Sequence, residues 1–135
     1  MGAAHAIANA KFFFEKFPGY PPAACVPYYM GISLIETARK TKKSIYRTHA
    51  KQMVSRIDTY IKKGNPNVRH YQLALEAEML VSKGRLYEAI PKFEAAITLA
   101  TRSGFIHDSA LINERYGEFL MRRMADAERG WYHRG

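Results

Sequence analysis

The chain has a single cysteine, Cys25, among its 135 residues. Neither an internal disulfide nor a cysteine-built zinc site can form, and a reduced, cytoplasmic setting is expected. Long apolar runs are missing as well: residues 3–10 and 32–35 fall far short of the roughly 20 that span a bilayer. The N-terminus has no basic region ahead of its apolar run, and its sixth residue is Ala6 where a myristoylation signal places Ser or Thr, so no targeting signal is read. No stretch alternates polar and apolar residues between turns, which leaves no strand to expect. A Gly-x-x-x-x-Gly-Lys-Ser/Thr phosphate loop is also lacking.

Catalytic and metal-ligating patterns are equally sparse. None of His5, His49, His70, His107 and His133 shares the four-residue spacing that sets two ligands on one helix face, so no metal and no cofactor are expected. The pair His107-Asp108 reads as a helix start, with Asp108 capping backbone N–H groups. Cys25 has no base near it in sequence and reads as a packing residue. An enzyme is therefore disfavoured.

What is present is burial potential. With 47% apolar residues, nine Tyr, seven Phe and one Trp, the chain can build one compact core but not two domains. Glycine and proline divide it into helical lengths. Residues 3–17 read as helix, stopped by Pro18-Gly19. Residues 20–26, with Pro21 and Pro22, should run extended before a helix from Pro27 to about Lys40. After a basic turn, Tyr46, Ala50, Met53, Val54, Ile57 and Ile61 recur at three- and four-residue spacing and mark one helical stripe, ended by Gly64-Asn65-Pro66-Asn67. Helices over 71–83 and 86–100 follow, joined at Gly84-Arg85. Another spans about 108–123, and a last one starts near Asp126. Short amphipathic helices with short turns imply antiparallel hairpins stacked side by side.

The run from Leu73 to Ile97 carries a recognisable pattern. Leu73, Ala77, Leu80 and Gly84 on the first arm, then Ala89, Phe93 and Ala96 on the second, resemble a tetratricopeptide repeat. A second copy begins 40 residues on with Gly117 in the place of Ala77, but Met124 stands where a turn glycine is usual. A weaker, earlier copy has Gly31 and Leu34. The repeats are thus read as 27–63, 71–101 and a truncated 108–135. Their long spacing, with Gly64-Asn65-Pro66-Asn67 and the run from Gly104 to Arg115, resembles the tetratricopeptide-like region that follows AAA-type ATPase domains in large signalling proteins such as hybrid histidine kinases and protein kinases. The resemblance implies an all-α, right-handed superhelix of about six to seven helices acting as a non-catalytic protein-interaction scaffold.

Two surfaces are candidates for binding. Residues 39–69 hold ten basic side chains against Asp58 alone, while the net charge of the whole chain is +9. Arg39, Lys40, Lys43, Arg47, Lys51, Lys62 and Lys63 form either a solvated face or a contact for an acidic partner, an anionic surface or nucleic-acid phosphates. A basic nucleic-acid adaptor is accordingly the alternative function. The other surface is the groove implied by the resemblance. Where relatives that grip a terminal carboxylate use Lys and Asn, this chain has Ala74, Glu78, Glu114 and Glu118, so the groove is expected to be acidic, with Glu78 and Glu118 as rim charges for a basic or amphipathic helix. The last unit ends before a second arm can close it, so Leu111, Tyr116, Phe119 and Leu120 should be incompletely covered, and either self-association or docking of a partner helix is expected there.

Overall fold

The computed structural model describes residues 25–134, with side chains through Glu128. The helix expected over 3–17, its Pro18-Gly19 stop and the prolines after it lie outside the described residues. Five α-helices follow one another: α1 Cys25–Thr41, α2 Ile45–Lys62, α3 Arg69–Ser82, α4 Leu86–Arg102 and α5 Ile106–Arg134. A 3₁₀ turn, Pro66–Val68, links α2 to α3. Among the described residues there is no strand, and no helix is long and apolar enough to cross a membrane.

Helix ends follow local chemistry. The described part of α1 already includes Cys25 and Val26, ahead of the start expected at Pro27. α3 closes with Gly84 at φ 77°, Gly84 donating to the Val81 carbonyl and Arg85 to the Leu80 carbonyl. That is the Schellman arrangement, which needs a left-handed residue. α1 closes differently, with Lys42 at φ 59° and one bond of 2.7 Å from its N–H to the Ala38 carbonyl.

One expected break does not occur. Separate helices over 108–123 and from Asp126 are instead the single helix α5. The stretch from Met121 to Glu128 contains no glycine or proline, and its Met, Arg, Ala and Glu residues favour helix continuation over a turn. The described residues therefore hold five α-helices rather than six to seven, and α5 is a lone arm within them.

α1 pairs with α2 and α3 with α4, joined by turns of three residues, while α2 and α4 pack on the helices that follow them. α1 also reaches α3 directly. Gly31 makes that approach possible: a Cβ there would sit 2.5 Å from Leu75 Cδ2, and Leu75 is itself fully buried. Gly117 has open space around its Cβ position, so its lack of a side chain serves no close contact.

The stripes meet in one core. α2 buries Ala50, Met53 and Ile57, and α4 buries Ala89, Phe93, Ala96 and Ala100 against Ala74, Leu75 and Ala77 of α3. Leu73 and Leu80 pack at the edge of the same cluster. Among the described side chains of α5 the buried ones are Ile112 and Phe119, whereas Leu111, Tyr116 and Leu120 are half-buried. Phe119 is covered, contrary to expectation, because its ring stacks 5.9 Å from that of Phe93. Among the described side chains of α5, the large apolar ones left exposed are Ile106, Met121 and Met124.

Candidate functional site: a basic cleft between the helix ends

The first arms of the successive hairpins, α1, α3 and α5, are joined by a charged cross-link inside the protein. Arg115 of α5 donates from Nε to Glu78 Oε2 at 2.5 Å and from Nη2 to Glu78 Oε1 at 3.0 Å. The same Nη2 reaches Glu36 Oε1 of α1 at 3.0 Å, and Arg39 donates from Nη2 to the other Glu36 oxygen at 2.7 Å. A planar guanidinium has the fork needed to serve two carboxylates at once. Burial pushes the Glu36 carboxyl up, but hydrogen bonds from Arg39 and Arg115 together with their charges outweigh it and hold it below the usual carboxylate range. Burial pulls Arg115 down, and its bonds and charge contacts with Glu78 and Glu36 overcome that, keeping it charged.

Glu78 is therefore no rim charge of an open groove. It is only 4% exposed and committed to Arg115. Glu114 and Glu118 are exposed on α5 and are not among the residues that line the cleft beside Glu78. A cleft beside Glu78 is basic.

This cleft, of about 750 Å³, opens where α1 and α3 end and α2 and α4 begin, with the middle of α5 crossing it. Six basic residues line it against three acidic ones. Lys42, Lys43 and Arg47 come from the α1–α2 turn and the start of α2, and Arg122 and Arg123 from α5. Arg123 lies over the Tyr87 ring at 4.7 Å. Among the described residues no carboxylate stands within ion-pair distance of Lys42, Lys43, Arg47 or Arg122. Ile35, Ala38, Val81, Leu86 and Phe119 supply apolar lining. The arrangement can hold an extended anionic and apolar surface.

The basic block of the sequence is thus divided. Arg39, Lys43 and Arg47 reach the cleft, joined by Lys42. Lys40, Lys51 and Lys63 are exposed elsewhere, and Lys62 pairs with Asp58 at 2.8 Å on the outside of α2. Arg115, Arg122 and Arg123 went unrecognised because they lie in the half of the chain where charges balance, and only the fold brings them to the basic turn.

A second polar cluster lies deeper. Asp108 does not cap α5: its Oδ2 accepts the Tyr71 hydroxyl at 2.5 Å and faces His70 Nε2 at 3.1 Å. His70 is buried and stacks on Phe105 at 4.7 Å. Burial, then the bond to Asp108, pushes the Tyr71 phenol far up. Cys25 is half-buried, and burial with the charge of Asp108 pushes its thiol up to about 11, which leaves it a poor nucleophile near neutral pH. This cluster fastens the start of α5 to α3.

Comparison with protein-family models, with curated proteins and with solved structures gave no match to this chain.

Proposed function

We propose that the chain is a non-catalytic, tetratricopeptide-like protein-interaction scaffold, a short right-handed superhelix from a cytoplasmic, ATPase-linked signalling protein, whose partner is another protein segment. The observation that carries this reading is the bridge from Glu36 through Arg115 to Glu78, which holds three first arms side by side along one surface. Stacked hairpins bury their own faces and leave a continuous surface of first arms for a ligand. The direct approach of α1 to α3 at Gly31 supports the same stacking.

The alternative is a nucleic-acid adaptor. It is favoured by Lys51 and Arg56 on α2 and Lys63 just beyond it, which are exposed and have no ion pair among the described residues, and which could follow a phosphate backbone. Salt separates the two readings. Generic duplex DNA, titrated against the chain at rising ionic strength, is expected to bind weakly and to be lost at about 0.2 M salt. Tight binding that persists there, weakened by Lys51→Glu and Lys63→Glu, would establish the adaptor and remove the scaffold. A further expectation of the scaffold reading is no turnover of nucleoside triphosphates by the purified chain.

A further inference from the structure

We infer that the basic cleft is the docking site for an acidic amphipathic helix, a partner segment with an apolar stripe between flanking carboxylates. The inference rests on the scaffold reading and adds the chemistry of the partner.

Charge supplies the first argument. Of the three acidic residues lining the cleft, Glu36 and Glu78 are already neutralised by Arg115 and Arg39. Lys42, Lys43, Arg47 and Arg122 have no such partner among the described residues. The cleft therefore keeps a surplus of positive charge at the edge of a low-dielectric interior, where attraction for carboxylates is stronger than on an open surface.

Shape and polarity supply the second. The volume of about 750 Å³ suits about two turns of helix, a cylinder ~11 Å long and ~10 Å across. Val81 and Leu86, with the buried Ile35 and Phe119 beneath them, offer that helix an apolar bed, which side chains at i, i+3, i+4 and i+7 would cover. Cations stand on two sides, Lys42, Lys43 and Arg47 from the α1–α2 turn and Arg122 from α5. A nucleic-acid backbone could meet the cations but offers nothing to the apolar bed.

The third argument is conformational. The helix ends that follow α2, α3 and α4 place Gly64, Gly84 and Gly104 at positive φ, whereas the end of α1 holds Lys42 there. A side chain in this conformation is strained, and such strain gathers at sites that use it. Here it sets two lysines in succession on the cleft wall.

The test uses a capped, fluorescein-labelled peptide of Leu, Ala, Gln and Glu, with leucines at i, i+3, i+4 and i+7 and glutamates on both flanks, titrated with the chain by fluorescence anisotropy. Saturable binding is expected. It should weaken by about tenfold or more in the triple reversal Lys43→Glu, Arg47→Glu, Arg122→Glu, and by less than about twofold in Lys51→Glu with Lys63→Glu. A scrambled isomer of the same composition should also lose about tenfold, because its leucines no longer share a face. Circular dichroism checks the variants. Should the triple reversal not fold, Lys43→Gln with Arg47→Gln removes charge without introducing repulsion and must still weaken binding.

Equal binding of peptide and scramble, or equal loss from the two sets of reversals, overturns the inference. Stronger binding of the Lys-for-Glu counterpart overturns it too but leaves the scaffold reading standing with a basic partner. Displacement of the peptide by duplex DNA at equal charge, abolished by the triple reversal, overturns both.

Discussion

Replacing Arg115 by methionine removes a cation that joins α1, α3 and α5, and its cost can be worked from burial. Glu78 is 4% exposed and takes both of its ion-pairing bonds from Arg115. Without the guanidinium it becomes a buried carboxylate with no counter-charge, a situation that costs about 3–5 kcal/mol. Glu36 keeps Arg39 and is nearer solvent, so it adds little. At the ~3–5 °C per kcal/mol expected for a domain of this size, the melting temperature should fall by roughly 10–20 °C. Replacing both partners, Glu78→Leu with Arg115→Met, should recover most of the loss, because no charge is then left buried. Acid gives a sharper discrimination. In the native chain the Glu36 carboxyl is held below its unfolded value of 4.5, so its stabilisation is complete above that value and is lost as pH falls through the folded one. Arg115→Met leaves Glu36 with Arg39 alone, so part of this stabilisation is missing from the variant above that value, and the stability gap between variant and native chain narrows as pH falls from 7 towards 4. Urea unfolding followed by far-ultraviolet circular dichroism at both pH values measures this. A variant within 1 kcal/mol of the native chain at neutral pH, or a gap independent of pH, would refute the buried bridge.

Three further outcomes are expected, each read from a urea midpoint. Lys42→Gly should stabilise the chain by about 0.5–1 kcal/mol, since glycine carries no penalty at φ 59°, and a loss of stability would mean the α1 end is not left-handed. Gly31→Ala should cost about 1–3 kcal/mol, because the new methyl meets the fully buried Leu75, and a neutral result would show that α1 and α3 are further apart. Ala89→Leu should cost a similar ~1–3 kcal/mol by overpacking the interior of the α3–α4 hairpin, whereas an unchanged midpoint would place Ala89 outside it.

Helices and turns were legible because their signals are local. The stripe from Tyr46 to Ile61 needs only its own spacing, and Gly64, Gly84 and Gly104 each mark a left-handed helix end. The continuity of α5 was not legible, because Asp126 imitates a helix start and only the lack of a turn residue beside it argues otherwise. The cleft was harder still. The sequence showed Lys42, Lys43 and Arg47 in a block, but Arg122 lies 75 residues beyond Arg47 among balancing acids, and no sequence window contains both. Glu78 was misread for the same reason. Its partner Arg115 is 37 residues away, so a residue that looked solvated is in fact spent on the interior.

Stability and site charge are coupled through the same few residues. If Glu36 and Glu78 were free, their carboxylates would face Lys43, Arg47 and Arg122 across the cleft and cancel much of its field. Arg115, reaching in from α5, takes both carboxylates on one guanidinium and leaves the cations of the α1–α2 turn uncompensated. The bridge that holds the first arms together is thus also what makes the surface between them basic. It follows that Arg115→Met should alter the cleft as well as the fold, since Glu36 would lose one of its two cationic partners and turn towards the nearest cations of the cleft. The double replacement with Glu78→Leu should restore stability and a positive cleft together.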